Sequence, residues 1–199
     1  MADLSDFIFS KVRVKLFQLF FENPSEMWYV REITRKVDEE INAVRRELER
    51  MTQSGLVRSE DRGNRKYYSL NHGYEFFPEL TRLVAKTTGL GYEIKKNRRK
   101  LGTVKFVMFT GKFAKHQKRA HDEVDILMVG DIVLPEMAAL IREEEKTRGH
   151  EINYTVMSED EYVFRRTRRD PFLISILELP RVMVIGDEEE MLERKPAQP

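Results

Sequence analysis

Cysteine is absent from the chain, and with it go disulfides, thiolate nucleophiles and thiolate zinc sites. Any bound metal would fall to carboxylates or to the four histidines. Long apolar runs are missing too, since none approaches the roughly 18 residues that a bilayer-spanning helix needs. The opening residues, MADLSDFIFSKVRVK, put acids where a secretory leader carries bases. The expectation is a cytoplasmic chain with no membrane partner. A strong charge of either sign is also lacking, the net value being +1 at pH 7, so bulk charge does not single out nucleic acid. Where the bases sit decides that question.

What is present is 41% hydrophobic and 35% charged residues over 199 positions, enough for a core under a densely charged surface. Two small domains suit this length and pattern. From Ser5 to Phe21, apolar residues at Val12, Leu16, Leu19 and Phe20 recur at helical spacing until ENPSE breaks the pattern. MWYV reads as a short strand, and Val30, Ile33 and Val37 as the inner stripe of a short helix. Asp38, Glu39 and Glu40 supply cap and first-turn acids to a further helix that turns Ile41, Val44, Leu48 and Met51 inward and stops at Gly55. Two β-rich runs, Leu56 to Ser59 and Lys66 to Leu70, flank the turn tetrad Arg62-Gly63-Asn64-Arg65. Helix, strand, helix, helix, hairpin is the order of a winged helix-turn-helix over residues 1–72.

Such a fold lays its second helix in the major groove of duplex DNA. With the apolar stripe inward, Asn42, Arg45 and Arg46 point outward, and these types pair bidentately with adenine and guanine. Arg58, Arg62, Arg65 and Lys66 on the hairpin would supply backbone contacts. The alternative is a solvated, ion-paired face used for dimerisation or docking, and residues 1–72 carry thirteen bases against twelve acids. The segments SKVRVKLFQLFF, WYVREITRKV, VRRELERMTQSGLV and RGNRKYYSLN resemble winged-helix regulators of the ArsR-like type. That resemblance implies double-stranded DNA as a partner and a homodimer with its half-sites about 34 Å apart.

Residues 73–101 read as a helical connector and 102–188 as a small α/β domain, with 189–199 an acidic, disordered tail. The fold class expected is therefore α+β. A strand at Val104 to Phe109 runs into Gly111, and a second apolar run carries Glu123 and Asp125 two positions apart. Acids at i and i+2 on a strand share a face, as convergent metal ligands must, and a glycine-led turn brings N–H groups near phosphate. Gly111, Phe113-Ala114 and Asp125, with GLG at 89–91, HEINYTVMSEDEY, DPFLISILE and VMVIGDE, resemble minimal nucleotidyltransferase domains of the DNA polymerase beta superfamily, particularly those fused behind a winged helix in prokaryotes. The departures fall on the chemistry. Lys112 stands at the family's serine, Ala114-Lys115-His116 replaces Ala-Arg-Gly, and Asp122-Glu123 replaces Ser-Asp. The third acid falls at Glu151, or its place is held by Asn153.

Two readings follow from that resemblance. In one, Glu123, Asp125 and Glu151 hold Mg²⁺, Gly111 and Lys112 meet a nucleotide, and the enzyme moves a nucleoside monophosphate from an NTP onto a protein or small-molecule acceptor. In the other, favoured because several motif positions differ at once, Lys112 fills a vacated metal site by pairing with Glu123 and Asp125, and the domain senses or assembles without catalysis. The regulator reading needs no cofactor. His116, His121 and His150 lack metal spacing and are expected at the surface, and Arg165 to Arg169 is expected as a solvated helix face.

Overall fold

The computed structural model describes residues 5 and 8–193, and the chain divides into two compact units, the first running to Thr87 and the second beginning at Thr88. In the first unit, α1 (Lys11–Glu22) starts at Ser10, whose hydroxyl accepts from the Arg13 N–H at 3.3 Å. β1 (Met27–Tyr29) leads directly into α2 (Val30–Val37), which Asp38 ends in the left-handed region at φ 49°. Glu40 then starts α3 (Ile41–Gln53) by accepting from the N–H groups of Asn42 and Ala43, both at 2.8 Å. β2 (Val57–Arg62) and β3 (Arg65–Leu70) pair antiparallel with Arg62 opposite Arg65, leaving Gly63-Asn64 as the loop. Gly63 takes φ 60°, which favours glycine there. β1 lies on the other side of β3, so the sheet order is β1-β3-β2.

Leu16, Phe20, Ile33, Val44 and Leu48 have no solvent exposure at all. Each such side chain contributes about 2 kcal/mol by area bookkeeping. α4 (Phe77–Thr87) closes this core, with Phe77 stacked on Phe21 at 5.8 Å between ring centroids.

The second unit opens with α5 (Gly89–Lys96) and continues through β4 (Gly102–Thr110), a single turn α6 (Gly111–Ala114) and β5 (Ile126–Ile132). α7 (Leu134–Arg148), β6 (Tyr154–Met157), α8 (Glu159–Thr167), α9 (Pro171–Leu177), β7 (Arg181–Ile185) and α10 (Glu188–Leu192) complete it. The sheet order is β6-β5-β4-β7, with β5 and β6 parallel and the other pairs antiparallel. On one face Phe106, Met108, Leu127 and Val129 pack with Tyr162, Leu173 and Ile176 from α8 and α9. α5 and α7 bury Ile94, Met137 and Ile141.

The architecture is a mixed α+β one, and three details of the sequence reading need correction. The connector 73–101 is not a separate piece: α4 joins the first core and α5 the second unit. The tail 189–199 is not disordered in its described part, because Asp187 caps α10 by accepting from the Glu190 N–H at 3.0 Å and Met191 is fully buried. Positions 194–199 lie outside the described residues. The run Glu151 to Met157 alternates as a strand does, but the strand begins only at Tyr154. Among the described residues no helix is long and apolar enough to cross a membrane.

Candidate nucleic-acid interface and acidic turn

α3 buries Val44, Leu48 and Met51, and the helical period therefore turns Asn42, Arg45, Arg46 and Glu49 outward, all exposed. The two acids preceding the helix are engaged locally. Glu39 pairs with Lys15 at 2.6 Å, and the backbone hydrogen bonds from Asn42 and Ala43 hold the Glu40 carboxyl below the usual carboxylate range.

Glu47, on the same helix, is 6% exposed and so lies off the solvated face that carries Arg45 and Arg46. It accepts from Ser10 Oγ at 3.0 Å and Arg13 Nε at 2.8 Å, and pairs with Arg50 at 3.3 Å. Burial pushes its carboxyl upward, but those hydrogen bonds and charges outweigh burial and the net shift is downward.

The hairpin splits its bases by register. Cross-strand partners share a face, so Arg58, Arg62 and Arg65 lie on one face with Tyr67 and Tyr29, and Lys66 lies on the other with Tyr68. Arg62 donates to both oxygens of Glu60, at 2.9 and 3.1 Å, which lowers the Glu60 carboxyl pKa and raises that of Arg62. Arg65 instead lies 4.7 Å over the Tyr29 ring.

In the second unit Glu123 and Asp125 precede β5 rather than standing on it. Lys112 Nζ reaches both Glu123 oxygens, at 2.6 and 2.7 Å, and that hydrogen bond, with a second from the Ala120 N–H, lowers the Glu123 carboxyl pKa. Lys112 does not take Asp125. Arg119 does, its Nε donating to Oδ2 at 2.6 Å, while the Asn153 N–H donates to the same oxygen at 2.9 Å. The residue level with Asp125 is thus Asn153, whose side-chain amide also donates to the Glu123 carbonyl at 2.9 Å. Glu151 is exposed and is touched through its backbone carbonyl, by Arg119 and His150. Glu123, Asp125 and Glu151 therefore do not converge.

Among the described residues no group of three or more such side chains is arranged to hold a metal ion. Two carboxylates already bonded to cations do not fit Mg²⁺, which demands near-octahedral oxygen donors. The two ion pairs differ in weight. Lys112 and Glu123 are solvent-accessible, so water and salt screen that pair and it adds little to stability. Asp125 is nearly buried, and Arg119 is the group that makes its burial tolerable.

Gly111 has a structural duty of its own. Its N–H donates to the Pro180 carbonyl at 2.5 Å, and a Cβ there would come within 2.9 Å of Pro180 Cβ. That N–H is not free for a phosphate. His116, expected at the surface, lies against Arg148, whose Nη2 is 3.4 Å from its Nε2. In the Arg165 to Arg169 run, Arg165 pairs with Glu161 and Arg168 covers the Phe164 ring. Sequence reasoning missed Glu47 and Arg119. The signal for Arg119 was the basic loop KFAKHQKRAH just before the acids, but its partner depends on the path of that loop.

Compared with family models, curated proteins and solved structures, the chain matches none.

Proposed function

We propose that the chain is a duplex-DNA-binding transcriptional regulator, acting as a dimer, in which the first unit is a winged helix-turn-helix. In this reading the second unit is a nucleotidyltransferase-like domain without catalysis. The observation that carries it is α3, which commits one stripe to the core and leaves Asn42, Arg45 and Arg46 exposed beside a two-stranded hairpin. Those side chains have the donor geometry for base edges, each good bidentate contact discriminating by about 1–3 kcal/mol. The double substitution Arg45→Ala, Arg46→Ala is expected to weaken binding to a duplex selected from a random pool at least about tenfold, measured by fluorescence anisotropy. Undiminished binding would end the assignment.

The silent second unit is supported by the cations on its acids, Lys112 on Glu123 and Arg119 on Asp125. Calorimetric titration with each NTP, with and without Mg²⁺, is expected to give no metal-dependent heat that Asp125→Ala abolishes. Metal-dependent binding lost in that variant would restore the transferase reading.

A further inference from the structure

β1 stops at Tyr29, opposite Tyr67, and the chain turns at once into α2. Arg65 and Lys66 therefore have no strand beyond them on that side of β3, and a cleft of about 850 Å³ opens there between the start of α2, α3 and the hairpin. Four cations line it, Arg31, Arg45, Arg65 and Lys66, against a single acid, Glu49. Among the described residues none of the four is in an ion pair. Arg65 is held by the face of Tyr29 rather than by a carboxylate, so its in-plane N–H donors stay available for an anion's oxygens.

The hairpin's other two arginines are placed differently. Arg62 already spends its fork on Glu60. Arg58 sits opposite Ser69, away from the hairpin tip, with Nη2 close to Gly73. Neither lines the cleft.

We infer that this cleft seats a stretch of the DNA sugar-phosphate backbone, with Arg31, Arg65 and Lys66 as its phosphate contacts and Arg62 and Arg58 outside it. The inference rests on the DNA-binding reading above and revises which bases of the hairpin serve it. Arg31 is new to the site. It sits on α2, not on α3 or the hairpin, and only the fold brings it beside Arg65.

Phosphate contacts carry no sequence information, so the test needs no known operator. The affinity of the full chain for a short labelled duplex of random sequence is measured against salt concentration. Arg31→Gln and Lys66→Gln, both at exposed positions, are each expected to reduce the slope of log K on log salt by about 0.9, one phosphate's share. The paired variant Glu60→Gln, Arg62→Gln removes both charges of the tip and is expected to keep the wild-type slope. Circular dichroism of each variant confirms that the fold is intact. A wild-type slope in the cleft variants, or a reduced one in the paired variant, overturns the cleft assignment and leaves DNA binding standing. A wild-type chain with no salt-sensitive binding overturns both.

Discussion

His116 occupies the left-handed region at φ 51°, which glycine adopts more readily than any other residue. Histidine is among the non-glycine residues that tolerate this region. Burial, then the nearby charges of Arg148 and His150, push its pKa down from 6.5 to about 3. The folded chain therefore keeps the ring neutral down to about pH 3, while the unfolded chain takes up a proton as pH falls through 6.5. Stability is full above 6.5 and declines below it, by up to about 1.4 kcal/mol per pH unit from this residue. His116→Asn keeps a side chain suited to that φ and is expected to flatten the decline, read as urea midpoints at about pH 7 and about pH 5. An unchanged pH dependence would show that the ring is not buried neutral. Nothing in the sequence foretold this half-buried setting. Arg148 is 32 positions away, itself fixed by Glu144 at 2.7 Å and stacked 3.9 Å over Phe113.

Glu47 joins two elements, since it lies on α3 and takes its hydrogen bonds from Ser10 and Arg13 at the start of α1. Its depressed carboxyl contributes stability above the ordinary carboxylate range, and that contribution is lost as pH falls through the folded value. Glu47→Gln is expected to cost about 1–2 kcal/mol near neutral pH, less than a fully buried pair because Arg13 is partly exposed. The difference from wild type should close in acid once the pH has fallen through the depressed Glu47 value, and a gap that persisted there would point to packing instead. The periodicity of α3 and the turn residues of the hairpin were readable because both are local. Periodicity places Glu47 beside the inward stripe without naming a partner on α1. α10 was hidden for a similar reason: a five-residue helix of three acids followed by Met191 and Leu192, of which Met191 alone is buried, gives no period, and its anchor is the Tyr162 hydroxyl donating to the Met191 carbonyl at 2.7 Å. The strand assignment of Glu123 and Asp125 failed because the spacing of acids does not say where a ladder starts.

Each of the two compact units buries apolar residues of its own, and the chain's single tryptophan, Trp28, is buried in the first. Trp28 fluorescence should therefore follow the first unit alone during denaturation, while circular dichroism follows both. His116→Asn is expected to move the dichroism transition of the second unit and leave the tryptophan transition in place. A single transition, coincident by both probes and shifted as one, would mean that the units unfold together. The boundary at Thr87 escaped the sequence reading because the helices on either side of it look alike. Phe77 and Val84 select the first core through tertiary packing.

The glycine after β4 bears on how such chains are read at all. Its missing side chain makes room for Pro180, and its N–H is bound to that proline's carbonyl at the entry to β7. Any chain that keeps β7 beside β4 in this way must keep the glycine, whether or not a nucleotide ever reaches the turn. The glycine is accounted for by the packing of Pro180 alone, while the acids of the same turn are taken by their own cations, Lys112 and Arg119.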